Sequence, residues 1–323
     1  MRDTFLYHPE HGLKTGLSQQ EIRDAILDER NLLWLDMQDL DDEDIDILTE
    51  IFNLHPLTIE DFIMANARPK IENFSSYFFL VMFSMESHDK IKGRINTSEL
   101  DCCLGKNFLI TAHNDAIGPL NTIKERIKKQ SPIIRAGGDL LLYSILDCLV
   151  DSYFPIINEF DTMVDEMSDE LFREPSNATL KKIYNLKNEI MYLRRAIGPQ
   201  ADVINMINRS EFPFITTSNA VYFRNIYDNL VRLNDIVGTS RDVVTGAMEA
   251  YVSVVSNRLN EIMKTLTVIA TITMPLTLIA SIYGMNFRFM PALDHKHGYS
   301  MIIVLMAVIA LFMIIYFKRR KWL

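Results

Sequence analysis

Cysteine is nearly absent: Cys102, Cys103 and Cys148 are the only three among 323 residues. That count excludes a disulfide framework and fits a reducing cytoplasm. Cys102 and Cys103 are adjacent in an apolar segment and read as small buried residues rather than redox or metal groups. No Gly-rich Walker-type loop, zincin helix or catalytic triad spacing occurs. His8, His11, His55, His88 and His113 are scattered and read as surface histidines, so nothing points to an enzyme. Met1 to Leu13 carries charges and no apolar stretch of signal-peptide length, so export of the N-terminus is not expected. Acid is scarce toward the C-terminus, where Asp294 alone stands against seven bases from Lys264 onward. Met1 to Met263 holds 41 of the 42 acids and 26 of the 33 bases, a balance of −15. An acidic domain of that kind argues against nucleic acid as a partner. It is compatible with attraction of cations and equally with simple solubility.

Two long uncharged runs are present, Thr265 to Phe287 and Gly298 to Phe317, each long enough for one helical crossing of a ~30 Å hydrocarbon layer. The segment between them, Arg288 to His297, is ten residues long and can do little more than turn the chain. Asn286 must then lie at the mouth of a membrane helix, where an amide could hold an ion or its water shell. The block Lys318-Arg319-Arg320-Lys321 after the second run should stay in the cytoplasm, and Arg258 and Lys264 before the first run agree. Both termini are expected inside and the short loop outside.

Before these spans the chain changes character once. Residues 1–137 read as an α/β domain, with strands expected at Leu32–Leu35, Tyr77–Met85, Leu100–Leu104 and Phe108–Ala112 and helices at Asp41–Phe52 and Leu57–Met64. After Gly137-Gly138, residues 138–217 read as an antiparallel helical hairpin: Leu140 to about Leu171 with a kink at Pro155, a turn at Pro175-Ser176-Asn177, then Ala178 to about Asn208. Glu159, Asp161, Asp165, Glu166, Asp169, Glu170 and Glu174 make its tip acidic. No proline falls between Pro213 and Pro275, so a helix over 218–283 is expected, its last part (about 264–283) being the first span. At 1.5 Å per residue it would be roughly 100 Å long and would need neighbours to bury its apolar face. A loop at 284–297, a second span at 298–317 and a basic tail at 318–323 complete the chain. Fold class is thus an α+β cytosolic domain, long helices and two C-terminal transmembrane helices.

Along the expected long helix, Asn260, Met263, Thr267, Ala270, Met274, Thr277, Ser281 and Gly284 follow a 3–4–3 rhythm with no Leu, Ile, Val or Phe among them. Such a stripe suits a narrow watery axis, and it equally suits close helix packing in lipid. Tyr283-Gly284-Met285-Asn286, with Met290-Pro291-x-Leu293 and the terminal Tyr316-Phe317-Lys318-Arg319-Arg320-Lys321-Trp322-Leu323, resembles the CorA family of divalent-cation channels. His55-Pro56-Leu57 with Glu60-Asp61, Arg68-Pro69-Lys70 and Tyr222-Phe223-Arg224 extend the resemblance into the cytosolic domain in the same order.

The resemblance implies a funnel-shaped homopentamer in a cell membrane, the bacterial inner membrane, whose first spans line a pore for Mg2+, with Co2+ or Ni2+ as further ions. It implies Gly284, Met285 and Asn286 as the selectivity filter, Thr277 and Asn260 as polar rings, and Met274, Leu266 and Met263 as the apolar constriction, with Ala270 and Ser281 on the same face. Asp61, beside Glu60, would meet an acid of the next subunit across a regulatory Mg2+. The family's usual second acid is here Asn225, with Asp228 one turn further. Lys318, Arg319, Arg320 and Lys321 would form a basic ring near the acidic hairpin tip. Acids common in the family's outer loop are replaced by Arg288 and Ala292. His295 and His297 could bind a softer ion such as Zn2+, Co2+ or Ni2+, though His-x-His in a loop is usually incidental. The nearest alternatives are a zinc transporter of the ZntB branch and a membrane-anchored protein without transport.

Overall fold

In the computed structural model, all residues are described except 65–67, 88–94, 130–131, 174–175, 210–211, 213, 286–289, 291–296, 321 and 323. The chain forms two compact units, Met1–Ala247 and Met248–Leu323.

Alternating apolar runs supply a sheet in the first unit. Its strands are β1 (Arg2–His8), β2 (Gly12–Thr15), β3 (Leu32–Gln38), β4 (Lys70–Asn73), β5 (Tyr77–Ser87), β6 (Ile95–Gly105) and β7 (Phe108–His113), in the spatial order β2-β1-β3-β7-β6-β5-β4. Among the described residues only β3 and β7 pair in parallel, Leu33 opposite Phe108 and Leu35 opposite Ile110; the other pairs are antiparallel. The four strands expected from sequence are therefore present and longer. Strands β1, β2 and β4 are not expected from sequence, because β2 and β4 lie at sheet edges with mixed composition and β1 opens with the charged pair Arg2 and Asp3.

Helices cover both faces. On one, α1 (Gln19–Leu27), α2 (Asp42–Asp46), the turn Ile47–Ile51 that follows it and α3 (Pro56–Met64) bury Ile22, Ile47, Leu48, Ile59 and Phe62 against Leu33, Leu35, Val81 and Ile110. Each such side chain taken fully from water contributes ~1.5–3 kcal/mol. Asp41, Glu43 and Asp44 at the start of α2 act structurally. Asp41 and Asp44 form a reciprocal capping box at the start of α2, and Arg2 bonds Asp44 at 2.9 Å and Glu43 at 3.1 Å. The single helix expected over Asp41–Phe52 is instead α2 followed by a π-type turn, in which Phe52 N–H bonds the Ile47 carbonyl at 3.3 Å.

On the other face lie α4 (Gly118–Lys128), α5 (Gly138–Asp151), α6 (Tyr153–Arg173) and α7 (Asn177–Arg209). Gly137 has φ of 114°, a conformation that disfavours side chains, and a Cβ on Gly138 would come within 2.9 Å of Leu104 Cδ1. The pair of glycines thus lets α5 start hard against the sheet. The helix expected over Leu140–Leu171 is two helices, broken at Ser152. Pro155 has no N–H for the Asp151 carbonyl, which is why the break falls there. Helices α6 and α7 do form a hairpin, closed by Thr179 Oγ1 donating to Glu170 at 3.0 Å and by the Lys182–Glu170 ion pair.

Helix α8 (Thr217–Tyr283) is unbroken over 67 residues and α9 spans Gly298–Arg319. Within the first unit α8 buries Phe223, Ile226, Leu230, Leu233 and Val237. Its start is fastened by Asp139. Oδ2 accepts Thr216 N–H at 3.0 Å, Thr216 Oγ1 at 2.8 Å and Asn219 Nδ2 at 3.0 Å, while Oδ1 accepts Leu140 N–H at 2.8 Å. Among the described residues, three stretches are long and apolar enough to cross a membrane. In Gly138–Arg173, 44% of the apolar window is buried, as expected of a core element; in α8 and α9 only 6% is. The two that remain uncovered need another apolar medium.

Candidate ion pathway and cation sites

In the second unit Asn260, Met263, Leu266, Thr267, Ala270, Met274, Thr277 and Ser281 are all exposed. The covered side of the same helix is marked by buried Val268 and half-buried Lys264, Ile272, Pro275, Leu276 and Ile279. At 3.6 residues per turn the small and polar stripe is centred roughly 150° from that covered side. Exposed Ile262, Ile269 and Leu278 flank the stripe.

Threonines on and beside the stripe share one bonding pattern. Thr267 Oγ1 donates to the Met263 carbonyl at 2.7 Å, and Thr277 Oγ1 to the Thr273 carbonyl at 2.9 Å. A hydroxyl that has given its proton to the helix has only lone pairs left to present. It accepts hydrogen bonds from water, which is the polarity that a hydrated cation's outer shell meets.

Beyond Tyr283 the helix closes with Gly284 N–H on the Ala280 carbonyl at 2.9 Å and Met285 N–H on the Ile282 carbonyl at 3.3 Å. A Cβ on Gly284 would stand 3.2 Å from the Ala280 oxygen, so the turn is tight at that position. Met285 is exposed. Asn286, with Arg288, Ala292, Asp294, His295 and Lys296, lies outside the described residues.

The basic block begins with Lys318 and Arg319 in the last turn of α9 and continues with Arg320, whose N–H bonds the Tyr316 carbonyl at 3.1 Å. Lys321 lies outside the described residues. Trp322 folds back to stack on Phe317 at 5.9 Å, and Lys264 Nζ lies 6.0 Å from the Trp322 ring centroid. Lys264 opens the first apolar run and Trp322 follows the second. Their contact puts those two ends at one level. Aromatic and cationic side chains at one level are also the composition of a membrane–water boundary.

In the first unit Asp61 has a partner that sequence did not suggest. Lys70 Nζ bonds Asp61 at 2.7 Å and Glu72 at 3.0 Å. Burial works against the Lys70 charge, but these two carboxylates outweigh it and raise its pKa. Glu60 is exposed. Exposed Asn225 donates from Nδ2 to Asp147 of α5 at 3.5 Å. Burial, with Asp151 nearby, raises the Asp147 carboxyl, and the Asn225 amide partly offsets that. An acid at 225 would face Asp147 with like charge, which an amide avoids. Asp228 is exposed one turn further. Among the described residues no hydrogen bond or ion pair joins Asp61 to Asn225 or Asp228 within one chain.

Two histidines read as surface residues are buried. His113 bonds the Asp115 carbonyl through Nδ1 at 2.6 Å and faces Asp36 through Nε2 at 3.3 Å, where Lys124 and Thr111 also meet Asp36. Burial opposes ionisation of Asp36, but His113 and Lys124 overcome it and lower its pKa. His8 is 7% exposed at the end of β1. Neither position is apolar in sequence, and only the strand pairing buries them. The cysteine expectation stands: Cys102 and Cys103 are fully buried, and burial pushes both thiols up. On the α3 side of the sheet, Asp101 is buried beside Glu99, and burial followed by the Glu99 charge raises its pKa to about 9.

An α/β domain is thus joined to a very long helix and a second helix, both apolar enough to cross a membrane. The chain belongs to the family described as "CorA-like Mg2+ transporter protein", whose profile matches residues 29–319. It is 40% identical over 275 residues to a cobalt/magnesium transport protein CorA of Thermotoga maritima, covering 85% of this chain and 78% of that one. The corresponding protein of Methanocaldococcus jannaschii is 25% identical over 310 residues, covering 95% and 96%. The complete structure of a CorA magnesium transporter from the latter organism superposes with a TM-score of 0.85 at 24% identity, over 99% of this chain and 98% of that one. This last likeness establishes the fold.

Proposed function

We propose that the chain is one subunit of a homopentameric channel that carries hydrated Mg2+, with Co2+ as a second cargo, down the electrical gradient into the cell. The observation that carries this reading is the exposed stripe of α8, opposite the covered side, with threonine oxygens offering lone pairs. The relatives' names supply the ions, Mg2+ and Co2+.

The physics is coherent. Mg2+ dehydrates reluctantly and keeps several waters when bound. Neutral acceptors such as Asn286 and Thr277 bond to those waters without stripping them, and neutrality lets a divalent ion leave as readily as it enters. Two charges at ~2.3 kcal/mol per 100 mV give about 4.6 kcal/mol of inward drive, so no nucleotide site is needed. Five copies of Met263, Leu266 and Met274 would form a constriction that closes by excluding water. Both termini are cytoplasmic in this reading, with Lys318, Arg319 and Arg320 on that side. Asp61 with Glu60 of one subunit and Asn225 with Asp228 of the next would hold a regulatory Mg2+ that favours the closed state. Because Asn225 removes one charge per interface, inhibition by internal Mg2+ is weaker than with two acids.

Uptake into proteoliposomes loaded with a Mg2+-sensitive dye tests the reading. Uptake driven by an inside-negative potential, abolished by Asn286→Ala, is expected. Flux of Zn2+ without Mg2+ would overturn it in favour of a zinc transporter, and no divalent flux at all would remove transport.

A further inference from the structure

One cleft in the first unit runs against the acidic character of the domain around it. About 670 Å³ in volume, it lies beside the β4–β5 edge of the sheet and is lined by Arg68, Arg194, Arg195 and Arg241. Among the described residues no acid lines it. Four like charges repel one another, and an anion among them reverses the sign. Arg68 comes from the segment just before β4, Arg194 and Arg195 from α7, and Arg241 from α8. The cluster therefore exists only in the folded chain.

These guanidiniums are not spent on other contacts. Among the described residues the side chains of Arg68, Arg194 and Arg195 make no hydrogen bond or ion pair. Arg241 meets Asp242, its neighbour in the chain, at 3.1 Å, and both are exposed, so that pair is weak. The remaining wall is apolar. On α7, Ile190 precedes Arg194 and Met191 precedes Arg195 by four residues, which puts an apolar strip beside the charges. Half-buried Phe83 faces them from β5. Its main chain is held on both sides: Gln200 Oε1 accepts the N–H at 3.1 Å, and the Tyr153 hydroxyl donates to the carbonyl. Pro199, inside α7, has no N–H for the Arg195 carbonyl, so that oxygen lacks its ordinary helical donor.

We propose that this cleft binds a nucleoside triphosphate, with its phosphates among Arg68, Arg194, Arg195 and Arg241 and its base against the apolar wall at Phe83. Guanidinium forks match phosphate oxygens in pairs. A base stacks on an aromatic ring, and its amino group suits an unclaimed carbonyl such as that of Arg195. The volume is that of an ordinary small-molecule site. With no acid in the wall to position an attacking water, the nucleotide is held and not hydrolysed. All four arginines belong to Met1–Ala247, so a bound nucleotide ties α7 and the first part of α8 to the sheet edge.

The test uses the full-length protein in detergent, with ATP binding followed by isothermal titration calorimetry at a fixed free Mg2+ concentration. Fixing free Mg2+ keeps any ion sites equally occupied as nucleotide is added. Saturable binding of one ATP per chain is expected. Arg194→Gln and Arg241→Gln should each weaken it at least ~tenfold, the loss of one charge-assisted phosphate contact. Arg173→Gln removes the same charge at the far end of α6 and should leave affinity within ~twofold. Inorganic triphosphate has no base to stack and should bind at least ~tenfold more weakly than ATP. The substituted side chains are all exposed, so the fold tolerates each change. No ATP binding by the unaltered protein, equal weakening in all three variants, or equal affinity for inorganic triphosphate would overturn the assignment.

Discussion

Asp139 fastens the beginning of the long helix, and truncating it should loosen that beginning selectively. In Asp139→Ala the Thr216 N–H, the Thr216 hydroxyl and the Asn219 amide all lose their acceptor at once. Bonds to a carboxylate are worth ~1.5–3 kcal/mol each, but three donors share one oxygen and cannot contribute independently. A total of about 3 kcal/mol is reasonable for a side chain only 5% exposed. At ~1.4 kcal/mol per decade, local opening should become on the order of 100-fold more frequent. Amide hydrogen exchange read by mass spectrometry over residues 216–222 measures that opening directly. Asp139→Asn keeps one acceptor and should fall between wild type and alanine, and Thr216→Val, which loses a single hydroxyl bond, should cost about 1 kcal/mol. An exchange rate within ~threefold of wild type in Asp139→Ala would show that packing of Phe223 and Ile226, not the carboxylate, fixes the start of α8.

Asp101 gives a pH signature. Its folded pKa lies above the unfolded value, so its contribution is fully present below about pH 4 and is lost as pH rises toward about 9. Thermal melts across that window should lose stability with a limiting slope of ~1.4 kcal/mol per pH unit, flattened in Asp101→Asn; identical pH profiles for both proteins would contradict it. Asn225→Asp should place a second carboxylate against Asp147 and lower the internal Mg2+ concentration needed for half-inhibition of uptake, and an unchanged titration would sink the regulatory reading of this position. Thr277→Val keeps shape and removes the outward lone pairs, so Mg2+ uptake should fall while the helix remains intact by circular dichroism; full uptake would remove Thr277 from the pathway.

Much of this arrangement is legible in sequence where one physical constraint dominates. The long helix is read to within a residue because no proline interrupts Pro213 to Pro275 and a charge-free run must be helical in lipid. Strands β5 and β7 stand out because both of their faces are buried and their apolar runs are continuous. Strands β1 and β2 do not, since Arg2, Asp3, His8 and Lys14 acquire partners only in the folded domain: Arg2 from α2, His8 from Asp28. The same holds for the sites. Asp61 is suggested by its motif, but its pairing with Lys70 depends on strand β4, and Asn225 reads as a lost charge until Asp147 is seen beside it. Cross-chain proximity of this sort has no local period to betray it.

The lone parallel pair in the sheet bears on how the domain is assembled. Trp34 Nε1 donates to Thr111 Oγ1 at 3.0 Å across 77 residues of chain, at the centre of the sheet. The antiparallel partners β1–β2 and β5–β6 are near neighbours in sequence and can close locally, whereas β3 must wait for β7. Two peripheral ribbons should therefore form early, with the seam between them closing late. Until it does, Leu33, Leu35 and Ile110 present an open, strongly apolar edge, the form in which such a chain is most prone to pair with a copy of itself. Because β7 ends at His113, well ahead of Lys264 in the order of synthesis, the seam can be sealed before any membrane segment exists, and substitutions at Trp34 or Thr111 should reduce the yield of inserted protein more than its activity once inserted.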